Sequence, residues 1–469
     1  MNDLSALHPV LEIKALSRSM GVKLIVICFL ALLMIVPALF VEGLVRERTR
    51  RAEDVTKEIS GVVGGRQTFL GPTLAIPYTI PPQSPSDQTM HGIYLVFPAR
   101  ASAVVDSTTQ ERHRAIFKVP VFQADFKLDG DFDLTGVPTD APQGAVLDWS
   151  RAEFVVGVSD PRGALGDGQM TANGATGILA PAQTAQNLTI GDQGQQLRLT
   201  LFGVKAGDDV KPNAQVKVTS ALRFSGAQRL AVLAYGKTTH LVAHGDWSAP
   251  SFDGGFLPVR LDVSQAGFNA EWSVPFIARG VRAEGTSETI TGLDATALGV
   301  SFTELVDPYH SVDRALKYVL LFEGLIFLTY FVFEMTSGKR VHPAQYILLG
   351  VAQIIFYLLL LSLAERTGFD LGFLIAGAAT VILLSANAGW IFVSRLQGFR
   401  ALVAFSLLYS LIYMLLRLED NALLVGAIAS FLAITAAMYF SRSIDWYGSL
   451  PSPGRADPAS GPIVPRGTA

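Results

Sequence analysis

The stretch KLIVICFLALLMIVPALFV, residues 23 to 41, decides how this chain is organised. From Leu24 to Val41 it carries no charged side chain, and as a helix it would be about 27 Å long, close to the thickness of a bilayer core. The preceding segment is long and no small-x-small cleavage site follows, so we expect an uncleaved membrane anchor rather than a signal peptide. Pro37 is expected to kink this helix, which membrane-spanning helices tolerate.

Further apolar runs of this length appear only near the C-terminus. Five follow one another closely: Lys317–Met335, Ala344–Leu363, Leu371–Val393, Arg400–Leu418 and Ala422–Phe440. Together with the anchor they predict six transmembrane helices, one N-terminal and five C-terminal, which place both termini on the same side.

Lysine and arginine in the short loops indicate which side that is. The side with the termini holds Lys14, Arg18, Lys23, Lys339, Arg340, Arg395, Arg400 and Arg442, whereas the opposite short loops hold Arg366 and Arg417. The positive-inside rule therefore predicts cytoplasmic termini. The arginines at 46, 48, 50 and 51 conflict with this, but they lead into a long domain, where the rule is weak.

The composition supports a membrane protein. Of 469 residues, 50% are hydrophobic and 16% are charged, and the mean hydropathy is +0.37. The net charge of -3, without a basic stripe, gives no reason to expect nucleic acid. Cys28 is the single cysteine and lies in the anchor, so no intramolecular disulfide or cysteine-based metal site is possible.

Residues 46–316 show the alternation of β-strands. In FQADFKLDGDFDL, residues 122 to 134, one face of a strand pair would carry Phe122, Ala124, Phe126, Leu128, Phe132 and Leu134, and the other Gln123, Asp125, Lys127 and Asp129. Similar signals are QLRLTL (196–201), QVKVTSALRF (215–224), PVRLDV (258–263) and AEWSV (270–274). We expect an all-β, sandwich-like periplasmic domain or an antiparallel sheet stack, inserted between helices one and two.

The sequence also predicts the structure of two further segments, the one that follows helix one and the C-terminal tail. RERTRRAEDVTKEIS, residues 46 to 60, has no Gly or Pro and should extend helix one as a rigid stalk. The tail after Tyr447 is rich in Pro, Gly and Ser and is expected to be disordered. The predicted parts are a cytoplasmic N-terminus (1–23), transmembrane helix 1 (24–45), a periplasmic β domain with its stalk (46–316), a five-helix bundle (317–447) and a cytoplasmic tail (448–469).

The sequence contains no convincing catalytic or cofactor site. His240 and His244 have the spacing of a helical zinc pair, but the segment looks extended, and four residues of strand would separate the side chains by roughly 13 Å. The GKT at 236–238 lacks the upstream glycine of a phosphate-binding loop and is predicted to be a turn. We therefore expect no enzyme activity, no metal and no cofactor.

Acidic residues near the membrane are the remaining candidates. Glu334, Glu365, Glu419 and Asp420 fall at or beyond span ends, where a carboxylate reaches water or caps a helix. Glu323 is the acid placed deepest in a span, and it is a candidate intramembrane polar site. The alternative is a structural role, in which it faces the bundle and hydrogen bonds to a neighbour such as Tyr357.

The stretch LLRLEDNALLVG, residues 415 to 426, predicts a hairpin rather than a charged site inside the membrane. A single helix over 399–440 would be about 63 Å long, with its central charges costing about 2.5 to 3.5 kcal/mol each. With a break here, Asp420 can cap the N-terminus of the last helix, and the negative charge of Glu419 can interact favourably with the positive end of that helix's dipole. This hairpin contains LEDNALLVG, one of the blocks that resemble a known family, as described next. That resemblance implies that Arg417, Glu419 and Asp420 dock the periplasmic domain, or the loop of Glu365, onto the bundle.

Eight blocks of sequence, in order along the chain, resemble the CreD family of bacterial inner-membrane proteins. They are RQTFLGPTLAIPY (66–78), WSAPSFDGGFLP (247–258), GFNAEW (267–272), VDPYHSVDRALKYVLLF (306–322), HPAQYILLG (342–350), FYLLLLSLAE (356–365), LEDNALLVG (418–426) and SIDWYG (443–448). Two positions depart from the family pattern: Asn421 stands where an aromatic residue is common, and Glu323 where an apolar one is usual.

The resemblance implies one N-terminal helix, a large periplasmic domain and a C-terminal helical bundle. It also implies a role in cell-envelope integrity, since members are linked to a two-component regulatory system and to altered tolerance of colicins and β-lactams. It supplies no defined activity and no catalytic residues.

Three classes of function remain as hypotheses. The first is a non-enzymatic integrity factor that sits in the lipid bilayer and binds an envelope protein, lipid or polymer through the β domain. The alternative is a transporter or lipid-handling protein that uses the C-terminal bundle, weakened by the lack of a clear inverted repeat. An enzyme acting on envelope polymers would need a cleft with perturbed carboxylates in the β domain.

Overall fold

The computed structural model describes residues 20–82, 88–114, 117–191, 196–302 and 308–417, and positions 424, 426–428, 431, 434–435 and 438–439. The chain divides into two compact units. A helical unit comprises Met1–Thr49 and Val306–Ala469, and a strand-rich unit comprises Arg50–Leu305.

The N-terminal anchor forms two helices in direct succession, α1 (Met20–Leu33) and α2 (Ile35–Val63). The break at Met34 follows from Pro37, which has no N–H to donate to the carbonyl of Leu33. Helical hydrogen bonds continue on both sides, from Met34 N to Leu30 O at 3.1 Å and from Ala38 N to Met34 O at 3.2 Å. Helix α2 includes residues 46–60, so the charged stretch after the anchor is helical, as predicted.

The C-terminal part of the helical unit contains five described helices. They are α3 (Pro308–Lys317), α4 (Val319–Ser337), α5 (Pro343–Thr367), α6 (Phe369–Ile391) and α7 (Arg395–Arg417). Together with the anchor, α4 to α7 make five helices among the described residues that are long and apolar enough to cross a membrane. The predicted sixth span, Ala422–Phe440, lies mostly outside the described residues, and the positions described within it are helical.

Glycine and aromatic side chains bring α5, α6 and α7 together. A Cβ at Gly372 of α6 would lie 2.8 Å from the backbone nitrogen of Ala364, and one at Gly398 would lie 3.3 Å from Cα of Gly389. The absence of side chains there permits close helix contact. Phe356 packs edge-on against Tyr409, with ring centroids 5.0 Å apart, and against Phe373 at 5.7 Å.

The strand-rich unit contains two sheets. The first has eleven strands, with the main order β10-β11-β6-β1-β13-β19-β15. Its members are β1 (Gln67–Ile80), β2 (Met90–Val96), β5 (Val146–Leu147), β6 (Glu153–Val158), β9 (Ala180–Pro181), β10 (Asn187–Ile190), β11 (Leu197–Lys205), β13 (Arg229–Leu233), β15 (Pro250–Gly254), β18 (Glu284–Thr286) and β19 (Ala297–Phe302).

The second sheet has eight strands in the order β16-β17-β14-β3-β4-β12-β7-β8. They are β3 (Arg100–Arg114), β4 (Phe117–Asp133), β7 (Gln169–Ala172), β8 (Ala175–Ile178), β12 (Gln215–Ala227), β14 (Thr238–Gly245), β16 (Arg260–Ser264) and β17 (Gly267–Val274). A one-turn helix, Phe276–Arg279, follows β17, so the unit is not wholly β.

The core of the strand-rich unit lies between the two sheets. Three pairs of rings join them: Phe69 with Phe126 at 4.0 Å, Phe154 with Phe132 at 5.1 Å and Phe302 with Phe122 at 5.2 Å between centroids. Tyr235, which follows β13 of the first sheet, shares its single hydroxyl proton between two carbonyls of the second sheet, Ser102 O at 2.8 Å and Asp129 O at 2.9 Å. Burial raises the pKa of the Tyr235 hydroxyl well above its usual value, so it acts as a donor.

The predicted alternation in residues 122–134 is confirmed, with one correction. The six residues assigned to the inner face are all buried. They lie on and directly after the single long strand β4, however, and not on a strand pair. Gly130 and Asp131 do not interrupt β4, because β12 pairs with it along its length from Val121 to Asp133.

The sheets are mixed, whereas a purely antiparallel stack was one expectation. Strand β1 runs parallel to β13, and β3 runs parallel to β14. Alternation reports which face of a strand is buried but not the direction of its neighbour, since both ladder types keep the period of two. The sandwich-like packing itself is confirmed by the shared core.

The last turns of α2 belong to the strand-rich unit. Ile59 and Val63 pack on a small buried cluster of Val119, Val121 and Ala227. Glu58 forms an ion pair with Arg114 at the end of β3. The stalk therefore ends against the strands rather than in a free hinge.

Candidate functional site

Glu323 lies at the centre of a buried polar group in the helical unit. It stands on the second turn of α4 and is 0% exposed. Gly350 of α5 faces it: a Cβ there would lie 2.8 Å from Glu323 Oε1 and 2.6 Å from the Met34 side chain. Glycine at 350 therefore makes the room that the carboxyl group occupies.

Two further polar side chains of α5 share this face. Gln353 and Tyr357 follow Gly350 by about one and two helical turns, and both are 0% exposed. Tyr409 of α7 donates its hydroxyl to Gln353 Oε1 at 2.5 Å. We name Glu323, Gln353, Tyr357 and Tyr409 the bundle polar cluster.

The bundle polar cluster has unused hydrogen-bonding capacity. Among the described residues, Glu323 Oε1, Glu323 Oε2, Gln353 Nε2 and the Tyr357 hydroxyl are buried without a partner. An unpaired buried polar group costs about 1 to 3 kcal/mol, and a buried carboxylate without a cation costs more. Among the described residues, the cluster therefore offers donors from Gln353 and Tyr357 and acceptors from Glu323.

Glu323 faces the bundle, as the structural alternative expected, but the hydrogen bond to Tyr357 that this alternative named is not formed among the described residues. The Tyr357 hydroxyl has no partner in the described part of the chain. Glu323 lies on α4, a helix long and apolar enough to cross a membrane, but the sequence did not identify Gln353 and Tyr409 as its neighbours. The spacing of Gly350, Gln353 and Tyr357 on α5 was visible in the sequence, whereas the approach of Tyr409 on α7 depends on tertiary packing.

Glu334, eleven residues further along α4, is the opposite case. It is 2% exposed and accepts hydrogen bonds from Val341 N at 3.0 Å and the Tyr346 hydroxyl at 3.1 Å. Lys23 of α1 forms an ion pair with it and also donates to Val341 O at 2.6 Å. The expectation that this carboxylate reaches water at a span end is therefore wrong, because the loop after α4 folds back over it.

The residues predicted to dock at the other end of the bundle make separate contacts. Glu365 accepts a hydrogen bond from the Tyr309 hydroxyl at 3.2 Å and lies 4.0 Å from Arg48 Nε. Arg417 forms an ion pair with Asp370 in the first turn of α6, and the Tyr413 hydroxyl donates to the same carboxylate at 3.0 Å.

Arg417 and Glu365 thus have different described partners. Glu419 and Asp420 lie outside the described residues, and the docking role of the three charges stays a prediction.

In the strand-rich unit, the two histidines of HLVAH lie on β14, so they are extended as expected. His240 Nε2 is 2.9 Å from Glu271 Oε1, and this contact lowers the pKa of Glu271, with Arg260 contributing. In the regions that the structure describes, no group of three or more His, Cys, Asp or Glu side chains is placed to hold a metal ion. Gly236 and Lys237 lie in the short connection between β13 and β14.

A shallow groove lies on the face of the second sheet that points away from the core. Its volume is about 340 Å³, and it is lined by Asp106, Gln123, Asp125, Arg223, His244 and Asp246 among others. Arg223 Nε is 3.5 Å from Asp125 Oδ1, and Asp246 Oδ1 accepts from Thr109 N at 2.8 Å. We name it the outer-face groove. No local sequence pattern predicts this groove, since its residues come from five strands and loops distant along the chain.

These features define a class: an integral membrane protein with a bundle of apolar helices and a large strand-rich domain between its first and second spans. The comparisons with known proteins agree. The family described as inner membrane protein CreD matches residues 19–447. Inner membrane protein CreD of Escherichia coli (strain K12) is 31% identical over 429 residues, which cover 90% of this chain and 92% of that protein. The chain belongs to the CreD family of inner membrane proteins.

Proposed function

We propose that this protein supports the integrity of the cell envelope from the inner membrane, without catalysis, by binding an envelope component through its strand-rich domain. The carrying observation is the family match, which runs from residue 19 to residue 447 and so includes both the helical unit and the strand-rich unit. The proposal assigns membrane attachment to the first unit and recognition to the second.

The proposed topology has six spans, cytoplasmic termini and a periplasmic strand-rich domain. The ion pair between Lys23 and Glu334 supports it, since it joins the start of α1 to the end of α4, the two ends that the loop charges assign to the cytoplasm. Membrane-impermeant labelling of single cysteines at Thr176 and Ser337, in a Cys28→Ser background, tests it in intact spheroplasts. We expect labelling at 176 alone, and labelling at 337 would contradict the orientation.

The outer-face groove is the surface that we propose for recognition. It carries both signs of charge and several hydrogen-bonding groups, which suits a polar component such as a glycan strand or a lipid headgroup. Its most central charges, Asp125 and Arg223, are 67% and 60% exposed as side chains, so a ligand can reach them.

Photocrosslinking in living cells tests this proposal. A photoreactive residue at Thr108 or Gln123 of the full chain should capture an envelope protein, lipid or peptidoglycan fragment. The matched control is Thr176, exposed on β8 at the far edge of the same sheet. Equal capture at Thr176, or no capture at either groove position, would refute recognition through this groove.

A second candidate, transport or lipid handling by the helical unit, rests on the bundle polar cluster. An intramembrane acid without a described partner is the kind of residue on which proton- or ion-coupled mechanisms depend. Glu323→Gln removes the exchangeable proton and keeps the shape, and Glu365→Gln tests the second acid. If both variants retain the envelope phenotype of the unaltered chain, coupling through the bundle loses its basis, whereas the groove proposal is unaffected.

A further inference from the structure

Strand β16 is an open edge of the second sheet. All five of its residues are exposed, and in the described part of the chain β17 is the one strand that pairs with it. An edge strand presents unpaired backbone N–H and C=O groups that can pair with another strand. The edge strand β15 of the first sheet begins with Pro250, which lacks a backbone N–H to donate, whereas β16 has no proline.

The inner side of this edge is apolar and uncovered. Leu261 and Val263 lie opposite Ala270 and Phe268 of β17, so they share the face that points toward the core. Ala270 and Phe268 are buried, yet Leu261 remains 51% exposed and Val263 43%. The apolar face of the second sheet thus continues from β17, where it is buried, onto β16, where it is exposed.

The outer side of the edge carries a row of charges. Arg260 and Asp262 alternate with the apolar residues and lie opposite Glu271 and Asn269. Arg260 Nη1 is 3.3 Å from Glu271 Oε2, while the other oxygen of Glu271 contacts His240. The row therefore ends at the sheet edge with an arginine side chain that is 82% exposed.

We propose that β16 pairs antiparallel with β16 of a second copy of this chain, about a two-fold axis at Leu261. In this register Leu261 faces Leu261 of the second copy, and Arg260 faces Asp262 of the second copy twice, by symmetry. The pairing joins the two second sheets and continues the charged row across the boundary. It closes on itself, as a two-fold contact does, and forms a dimer rather than a fibre.

Charge complementarity selects both the register and the occupant. A shift by two residues in either direction would place Arg260 opposite Arg260, or Asp262 opposite Asp262, which is repulsive. A shift by one residue would place apolar side chains opposite charged ones. The sequence Arg-Leu-Asp is thus complementary to a second copy of itself in one antiparallel register. Binding a strand of an unrelated protein would not require this self-complementarity, so it favours a second copy of this chain as the partner.

The contact depends on membrane confinement. A five-residue strand is small beside the roughly 1,200–2,000 Å² of a standard stable interface. Anchoring both copies in one bilayer raises their effective concentration and compensates for the small contact. The full chain in its membrane is therefore the form to test.

Disulfide crosslinking tests the register. In a Cys28→Ser background, Leu261→Cys places two thiols on the axis, where opposed residues have Cα atoms about 4.5 to 5.5 Å apart, within disulfide range. The matched control is Val263→Cys on the same strand and face, whose copies would be about 13 Å apart. Mild oxidation of membranes should give a band of twice the chain mass for L261C and at most a tenth as much for V263C.

Exchanging the two charges tests whether the strand that pairs with β16 is β16 of a second copy. Arg260→Asp or Asp262→Arg in the L261C background should each reduce the crosslink at least five-fold, and the double exchange Arg260→Asp/Asp262→Arg should restore it. These side chains are exposed, so thermal unfolding of each purified variant should stay close to that of the unaltered chain, with only a small loss where Arg260→Asp removes the exposed ion pair with Glu271. No L261C dimer, equal dimer for V263C, crosslinking of L261C to another protein instead, or a double exchange that stays monomeric would each overturn the proposal.

Discussion

The two buried carboxyl groups of α4 stand in contrasting regions of the helical unit. Glu334, near the end of the helix, is surrounded by an ammonium group, a phenol and a backbone N–H that all bond to it. Glu323, about three turns earlier on the same face, has no described partner for either oxygen. Both are essentially inaccessible, so burial alone does not distinguish them.

The two acids differ in their hydrogen bonding and therefore in their expected effect on stability. The Glu334 region joins α1, α4 and the start of α5 through a complete set of bonds, and it contributes to the fold. The Glu323 region leaves donors and acceptors unused, which lowers stability and is retained in proteins mainly where it serves a function. Stability measurements on the full chain in detergent can separate the two, and the expected effects fall from the first to the last of the following variants.

Glu334→Ala should cause the largest loss. Removing one partner of a buried ion pair leaves the Lys23 ammonium without its counter-charge, and we expect a destabilisation of about 3 kcal/mol, near the low end for such pairs because Lys23 is 18% exposed. The measurement is thermal or denaturant unfolding. As a control, Lys23→Met/Glu334→Leu should be more stable than Glu334→Ala, since no unpaired charge remains. An unchanged unfolding midpoint for Glu334→Ala would show that the bonds to Glu334 do not stabilise the contact between α1, α4 and the start of α5.

Glu323→Leu should change stability in the opposite direction. The substitution removes two unpaired oxygens from an apolar setting, so we expect stabilisation by about 1 to 3 kcal/mol in the same assay. Glu323→Gln is the matched control and should leave stability nearly unchanged, because it remains polar and keeps the shape. A destabilised Leu variant would mean that the carboxyl group is satisfied in the membrane, and the contrast between the two regions would disappear.

Tyr409→Phe should have a smaller effect, a loss of about 1 kcal/mol, typical of an interhelical hydrogen bond in a membrane protein. The variant breaks the 2.5 Å bond to Gln353 and leaves the amide oxygen without a donor. Tyr357→Phe on the facing helix provides the comparison, since the Tyr357 hydroxyl has no described partner and its removal should be neutral or stabilising. Equal losses in the two variants would argue that the bundle polar cluster is uniformly bonded.

Arg417→Gln should give the smallest effect, about 0.2 to 1 kcal/mol. The ion pair with Asp370 is exposed by 45% and 51% at its two side chains, so solvent screens it. Charge reversal at Glu419 and Asp420 tests the predicted docking more directly. If these charges dock the loop, the reversal should change the stability, the membrane topology or the envelope phenotype. If that reversal changes neither, Arg417, Glu419 and Asp420 mark a turn and nothing more.

Much of the fold was predictable because the signals are local. The apolar run ending at Val41 and its later counterparts follow from length and hydropathy, and five candidate spans are found among the described residues. The strands of residues 215–224 and 270–274 follow from alternation and appear as β12 and β17. The parallel pairing of β1 with β13 was not predictable, since these strands are separated by well over a hundred residues.

The sequence alone determined that this chain enters a membrane, that a strand-rich domain separates its first apolar helix from the others, and that Glu323 lies on a helix long and apolar enough to span a membrane. Each of these depends on the order of apolar and polar residues over short distances, which free energies of transfer to lipid or to a sheet core already fix. Tertiary structure decided that Glu334 is paired with Lys23, that Glu323 meets Gln353 and Tyr357, and that β16 forms an open edge. Those outcomes depend on which surfaces pack together across hundreds of residues, and local patterns do not encode that choice.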